Sequence, residues 1–350
     1  MSLISVIIPS HNHAPFIQQA VDSVLSQSVS DLELIIVDDG STDRSIEILA
    51  SISDPRIQLI QQENLGAHSA INRGLNQATG EYLAILNSDD FYHPKRLEKT
   101  IAVLEKNVNV GLVGSHIQII DARNRKLGVK HGYQDCEPWL LEFPEHSFRM
   151  DSDLRAALLT ENFLSTTSNF VFSRRWYKKV GEFRPLRFTH DWDFALRMAM
   201  IADLSLLPEP LVNYRVHETN TIREDQVAMI FEICWCLAMH LPTFVADTRF
   251  FEKVPLETRI EQILHSIYVY GCEPTLSVML LQRFPENPTL ALRLLEPENP
   301  VRKKYLSFIS QKLVSQVDID TPNNSNIDHL SSTIIHKTRN LRTWLRRVSK

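Results

Sequence analysis

The acids best placed to do chemistry stand in two adjacent pairs. Asp38-Asp39 follows the mostly apolar run 32–37, and Asp89-Asp90 follows the apolar run 82–86. Each run is short, rich in Ile, Leu and Val or Ala, and ends abruptly in polar residues, the pattern of a strand buried on both faces of a parallel sheet. In open α/β sheets ligands collect outside the carboxyl ends of the strands, and two neighbouring carboxylates there repel each other unless a cation or a donor lies between them. A divalent metal satisfies Asp89 and Asp90 together. The plainer alternative is that these acids cap the helix that Pro94 announces, and Asp-Gly-Ser at 39–41 is likewise a common helix entrance. A nucleotide explains both pairs at once: one carboxylate accepts from a base N–H or a ribose hydroxyl, while the other pair holds the metal that neutralises a diphosphate.

The elements that must position these acids repeat. Residues 3–9 form an apolar run ended by Pro9-Ser10-His11-Asn12, after which Ile17, Ala20, Val21, Val24 and Leu25 fall at helical spacing. Strand 32–37 leads through Asp38–Asp43 to a helix with Ile46, Leu49 and Ile52 on one face. Strand 57–60, helix 67–77 and strand 82–86 complete a βαβαβαβ alternation, which predicts a mixed, mostly parallel sheet with helices on both faces. No GxGxxG follows the first strand, so the phosphate cradle of a dinucleotide-binding fold is missing. Further on, 110–120 reads as one or two strands, 132–163 as irregular, 166–172 as a strand, 174–180 as a short helix and 211–216 as a strand. Asp191 falls near the start of a helix, where a capping carboxylate is worth about 1 kcal/mol.

With 350 residues, 43% of them hydrophobic, the chain has material for about two domains and a sizeable core. A net charge of −5 argues against a general nucleic-acid binder and favours small molecules or a glycan as partners. The four cysteines, Cys136, Cys234, Cys236 and Cys272, have no metal spacing and read as reduced thiols. The amino terminus looks like a first strand, not a signal peptide. The most apolar later window, 227–246, is interrupted by Glu232, His240 and Pro242 and is not expected to span a bilayer. Beyond residue 224 the spacing is helical at 226–241, 256–270, 274–284 and 288–296. Residues 318–328 form a polar linker, and 329–350 a basic amphipathic helix suited either to a peripheral membrane anchor or to packing on the helical region or binding a partner.

Six stretches together resemble the inverting glycosyltransferases of family 2, which have the GT-A fold: Val6–Asn12 (VIIPSHN), Ile35–Asp43 (IIVDDGSTD), Asn64–Gly74 (NLGAHSAINRG), Gly80–Asp90 (GEYLAILNSDD), His190–Arg197 (HDWDFALR) and Asn213–His217 (NYRVH). The resemblance covers about residues 3–220. It implies a GT-A domain over 1–223, with a nucleotide-binding half to about 110 and an acceptor half beyond; past it, spacing and composition give a helical appendage over 224–317, the linker and the tail. By the same resemblance Pro9, Ser10, His11, Asn12, Asp39, Asn64, Gly66, Asn87, Ser88 and Asp89 line the nucleotide site. Asp89, Asp90 and His217 would hold Mn2+ or Mg2+, and Asp191 would be the catalytic base. Two departures stand out: Asn87-Ser88-Asp89-Asp90 where many relatives have DxDD, and Ala70-Ile71-Asn72 where many have ARN. The function implied is sugar transfer from a nucleotide diphosphate sugar, a UDP-sugar, to a glycan, lipid-linked or protein-linked hydroxyl. Such a protein would be cytoplasmic, with peripheral contact at the inner face of the plasma membrane, and would serve cell-surface polysaccharide biosynthesis. The rival is a catalytically silent nucleotide-binding module that docks a partner or a membrane through its C-terminal helices.

Overall fold

The computed structural model describes residues 2–131, 154–160, 162–218, 220–221, 224–247, 269 and 271–319. Two compact units lie among them, one within Met1–Leu141 and Asn162–Val216, the other within Glu142–Glu161 and His217–Lys350. The helix expected over 256–270 (apart from Val269), most of the irregular stretch and of the linker, Cys136, and the basic tail 329–350 lie outside the described residues.

In the first unit β1 (Ile4–Ser10) runs parallel to β2 (Leu32–Asp39) on one side and to β4 (Tyr82–Ile85) on the other, and β2 runs parallel to β3 (Ile57–Gln62). Every residue of β1 is buried, because strands flank both edges and helices cover the faces. Each fully buried aliphatic side chain of such a strand contributes about 1.5–3 kcal/mol. Helix α1 (Ile17–Leu25) buries Ile17, Ala20, Val21 and Val24, the three- and four-residue spacing of one face. Helix α2 (Ser45–Ser51) follows β2. Helix α3 (Ala67–Gln77) buries Ala70, Ile71, Gly74 and Leu75. Gly74 lets it settle on β1, since a Cβ there would come within 2.5 Å of Ile7 Cγ2.

The chain steps outward from β1 to β2 to β3, then returns to the other side of β1 as β4. The strand order is β3-β2-β1-β4-β8-β6-β9-β5, with β7 on β6. The reversal opens a crevice outside the carboxyl ends of β1, β2 and β4, where both acid pairs stand. Beyond β4 the sheet is mixed. β5 (Phe91–Tyr92) pairs antiparallel with β9 (Asp203–Val216), and helix α4 (Arg96–Lys106) leads to β6 (Val110–Asp121). β6 is parallel to β9 but antiparallel to β7 (Lys126–Lys130) and β8 (Val171–Ser173).

The strand expected over 166–172 is shorter than its composition suggests. Thr167–Asn169 is a single 3-10 turn and only Val171–Ser173 is strand. Thr166 Oγ1 accepts from the Ser168 N–H at 3.2 Å, a local bond that offers the backbone an alternative to the ladder. Helix α6 (Arg174–Val180) and helix α7 (His190–Ile201) complete the unit.

The second unit is helical: α5 (Leu154–Thr160), α8 (Gln226–Ala246), α9 (Glu273–Leu281), α10 (Pro288–Arg293) and α11 (Pro300–Ile319). Asp225 caps α8 by accepting from the Ala228 N–H, and Trp235 Nε1 donates to the Ala291 carbonyl at 2.8 Å. By length and composition α8 could cross a membrane, but 72% of its most apolar window is buried within the chain. Cys234, Cys236 and Cys272 are buried free thiols. Burial pushes the Cys272 thiol up to about 11 and Cys234 higher still, leaving both unreactive at neutral pH.

Candidate functional site

At the end of β2 the first acid pair organises loops. Asp38 is fully buried and accepts from the Ser41 N–H and hydroxyl at 2.9 and 2.6 Å. Asp39 accepts from the Leu65 and Gly66 N–H groups at 2.9 and 2.8 Å and from Gln62 Nε2 at 2.7 Å. Gln62 also accepts from Arg73 Nη1 at 3.3 Å, so Arg73 is turned towards Gln62 beside the Asp39 loop. Gly40, at φ +75°, lies against that loop, because a Cβ there would stand 2.9 Å from the Asn64 nitrogen. Asn64 Nδ2 meets His11 Nε2 at 3.0 Å. Asn12, at φ 54°, accepts from the Thr42 N–H at 2.7 Å and gives its own N–H to Ser41 Oγ at 3.0 Å. Ser10 pairs with Asp38 across β1 and β2, and its buried hydroxyl has no partner.

The second pair sits on the turn after β4. Asp90, 1% exposed, accepts from Ser168 Oγ at 2.6 Å through one oxygen and from the Arg215 N–H at 2.8 Å through the other. Burial and the adjacent Asp89 charge push the Asp90 carboxyl well above the usual range, against the pull of those two bonds and of the Arg215 charge. Asn87 is held by three contacts to the 3-10 turn: its N–H donates to Ser168, its amide to Thr166 and its carbonyl accepts from Thr167. Ser88 Oγ meets His13 Nδ1 at 2.7 Å. His13 and Asp89 each bring a ligand atom within 4.8 Å of the other. The His13 N–H reaches Ser45 Oγ at 3.1 Å, so this one residue joins the loop after β1 to the start of α2 and to the turn after β4. His217 is bonded to Val216, the last residue of β9, and its N–H donates to Asn220 Oδ1 at 2.6 Å.

Asp191 is the second residue of α7 and is 7% exposed. Asn162 Nδ2 donates to its Oδ2 at 2.9 Å, and the Trp192 N–H to its Oδ1 at 2.7 Å. Asp193, two residues on, is fully buried between Arg184 at 2.7 Å and Arg197 at 2.9 Å. His68, in the first turn of α3, feels the charges of both His190 and Asp39. Burial and then the His190 charge lower its pKa, while Asp39 acts in the opposite direction.

The structure therefore gathers His11, Asn12, Asp39, Asn64 and Gly66 around one loop and Asn87, Ser88, Asp89 and Asp90 around another. Asp191 stands on a separate helix. Sequence reasoning missed His13, Ser168 and Arg215. His13 could have been found as the next side chain of the loop after Asn12. Ser168 and Arg215 carry no local signal, since their roles depend on partners far along the chain.

The sequence model "Glycosyl transferase family 2" matches residues 5–181, just over half of the chain. An uncharacterised glycosyltransferase of Nostoc sp. is 31% identical over 225 residues, 62% of this chain and 66% of that protein. The chondroitin synthase of Escherichia coli is 33% identical over 195 residues, 53% of this chain and only 27% of that protein. Among solved structures, residues 1–349 of S. aureus TarS with UDP-GlcNAc align with a TM-score of 0.54 at 18% identity, covering 94% of this chain and 95% of that one. The mannosyltransferase of Pyrobaculum calidifontis with GDP-Man and Mn2+ gives 0.53 at 18% identity, covering 91% and 88%. At such identities the likeness shows the fold, which is of the GT-A type. By its matched sequence, the chain belongs to glycosyl transferase family 2.

Proposed function

We propose that the chain transfers a sugar from a nucleoside diphosphate sugar, with uridine as the base, to a hydroxyl of a glycan, lipid-linked or protein-linked acceptor, with inversion at the anomeric carbon. The observation that carries the reading is the pairing of Asp89 with His13 at the carboxyl ends of β4 and β1, beside the loops gathered by Asp39. A carboxylate and an imidazole in reach of each other form a donor set that fits Mn2+. We assign the ion to Asp89 and His13. The Ser88 hydroxyl, 2.7 Å from Nδ1, fixes the orientation of the His13 ring. Asp90, whose two oxygens already accept hydrogen bonds, is assigned to holding the turn. A bound divalent ion would offset the charge on a leaving diphosphate.

Asp191 takes the acceptor's proton. A hydroxyl is a poor nucleophile at neutral pH until a positioned base removes its proton in the transition state, and Asn162 holds one Asp191 oxygen so that the carboxylate cannot swing. Attack from the face opposite the diphosphate inverts the anomeric carbon with no covalent intermediate on the protein. Relatives named as chondroitin and hyaluronan synthases support a polysaccharide acceptor, and with it a place at the cytoplasmic face of the membrane.

A screen of nucleotide sugars for donor hydrolysis, with Mn2+ and with EDTA, tests the proposal. Turnover of a UDP-sugar that EDTA abolishes is expected. UDP binding without turnover of any donor, in the presence of acceptor extracts, would leave only the silent binding module.

A further inference from the structure

Arg215 is heavily engaged beside the site, and the proposed chemistry leaves it without a task. It is 1% exposed, and an arginine buried this deeply persists only where its donors are matched. Its Nε donates to the Asp89 carbonyl at 2.7 Å. Nη1 reaches the Asp121 carbonyl at 3.1 Å and Asn124 Oδ1 at 2.7 Å, and Nη2 reaches Gln19 Oε1 at 2.8 Å. Its carbon Cζ lies 4.6 Å from the centroid of the Phe16 ring, a distance at which a cation is attracted to the ring face. The backbone N–H of the same residue donates to Asp90. One residue thus ties the turn after β4 to α1 and to the β6–β7 turn.

The manner of the tie matters more than its strength. The guanidinium meets Asp89 at its carbonyl oxygen, while the Arg215 N–H holds the Asp90 carboxylate. The turn is fixed through the main chain of one acid and the side chain of the other, which sets the direction in which the Asp89 carboxylate leaves the turn. Lysine cannot reproduce this, because a single ammonium lacks the planar fork that reaches the four acceptors on Asp89, Asp121, Asn124 and Gln19. Given that Asp89 holds the ion, as proposed above, we infer that Arg215 is a positioning residue for the metal: it aims the Asp89 carboxylate at His13 and so sets the affinity for the divalent cation without touching it.

This role and a bystander role differ in sign. A buried positive charge beside a cation site opposes the cation, so a bystander replaced by a neutral residue should leave Mn2+ binding unchanged or tighter. A positioning residue, once lost, should weaken it. Outer partners of metal ligands typically contribute 10–100-fold to affinity, which sets the scale. The experiment measures Mn2+ affinity by electron paramagnetic resonance on the full chain with saturating UDP, below each variant's melting temperature. Arg215→Lys and Arg215→Met should each weaken Mn2+ by about tenfold or more and broaden the bound Mn2+ spectrum. Asn124→Gly removes one acceptor of the fork and keeps a residue that accepts the left-handed φ of 62°; it should weaken Mn2+ by about threefold, and it decides the matter if the Arg215 variants do not fold. Unchanged or tighter Mn2+ in Asn124→Gly, or in a folded Arg215 variant, overturns the role of Arg215 alone. A parent chain that binds no Mn2+ with UDP overturns the metal reading itself and this inference with it.

Discussion

The two acid pairs are spelled alike and stand at the ends of the two parallel strands that flank β1, yet their surroundings divide them. The carboxylates of Asp38 and Asp39 accept from Ser41, from Gln62 at the end of β3, and from Leu65 and Gly66 in the loop that follows it. Those bonds shape the crevice wall. Around Asp89 and Asp90 the partners come from afar, and the labour is split: Asp90 is locked by Ser168 and the Arg215 N–H, while Asp89 carries its carboxylate towards His13. An acid's identity and strand position thus nominate it for chemistry, and the donors packed against it decide whether it organises the backbone or meets a ligand.

The largest break in this comparison should come from exchanging an asparagine into each pair. Asp89→Asn is expected to reduce Mn2+-dependent UDP affinity by at least about 100-fold, beyond the effect of losing an outer-shell partner, with little change in melting temperature. Asp38→Asn should do the opposite: the buried Ser41 bonds weaken, stability falls by about 1–3 kcal/mol, and the metal dependence of UDP binding persists. Calorimetric titration with and without EDTA, paired with thermal melts, separates them. Equal effects of both substitutions on metal dependence would erase the distinction.

A similar division separates Asp191 from Asp193 on α7. General base catalysis contributes about 10²–10⁴-fold, so Asp191→Asn should lower kcat by that order while UDP affinity stays within about a factor of three. Asp193 neutralises Arg184 and Arg197 from a fully buried position, and breaking a buried pair leaves uncompensated charge at a cost of about 3–5 kcal/mol. Asp193→Asn should therefore act on the melting temperature before it acts on the rate of the folded fraction. An Asp191→Asn chain that keeps more than about a tenth of the parent kcat would remove Asp191 as the base.

Much of the first unit was legible because its signals are local. The amphipathic spacing of 67–77 marks α3 at the bounds observed, and the apolar runs of β1, β2 and β4 announce buried parallel strands. The 3-10 turn at Thr167–Asn169 was not legible, since β-branched Thr166 and Thr167 favour a strand until their hydroxyls find partners in Asn87 and Ser168. The division between Asp89 and Asp90 was hidden for the same reason at longer range. Ser168 lies 78 residues from Asp90 and Arg215 lies 125. Spacing rules read neighbours three or four residues apart and cannot see such bonds.

The smallest predicted effect concerns Glu33, a carboxylate near the opposite end of β2. Burial alone would raise its pKa, but hydrogen bonds from the Ser5 hydroxyl, from the Thr79 N–H and hydroxyl and from the Gly80 N–H outweigh burial and hold it below the usual carboxylate range. Because the folded pKa is the lower one, the unfolded chain binds more protons in acid, and the stability from Glu33 is present above the unfolded value and lost as the pH falls through the folded one. Glu33→Gln keeps an acceptor but removes the charge that strengthens those bonds, so about 1 kcal/mol of stability should be missing at pH 7. Against the parent, that deficit should shrink steadily as the pH falls below about 4.5. Denaturant titrations of both proteins at several pH values measure the difference. A deficit independent of pH would mean that Glu33 contributes by packing, and the contrast between the two ends of β2 would then rest on the Asp residues alone.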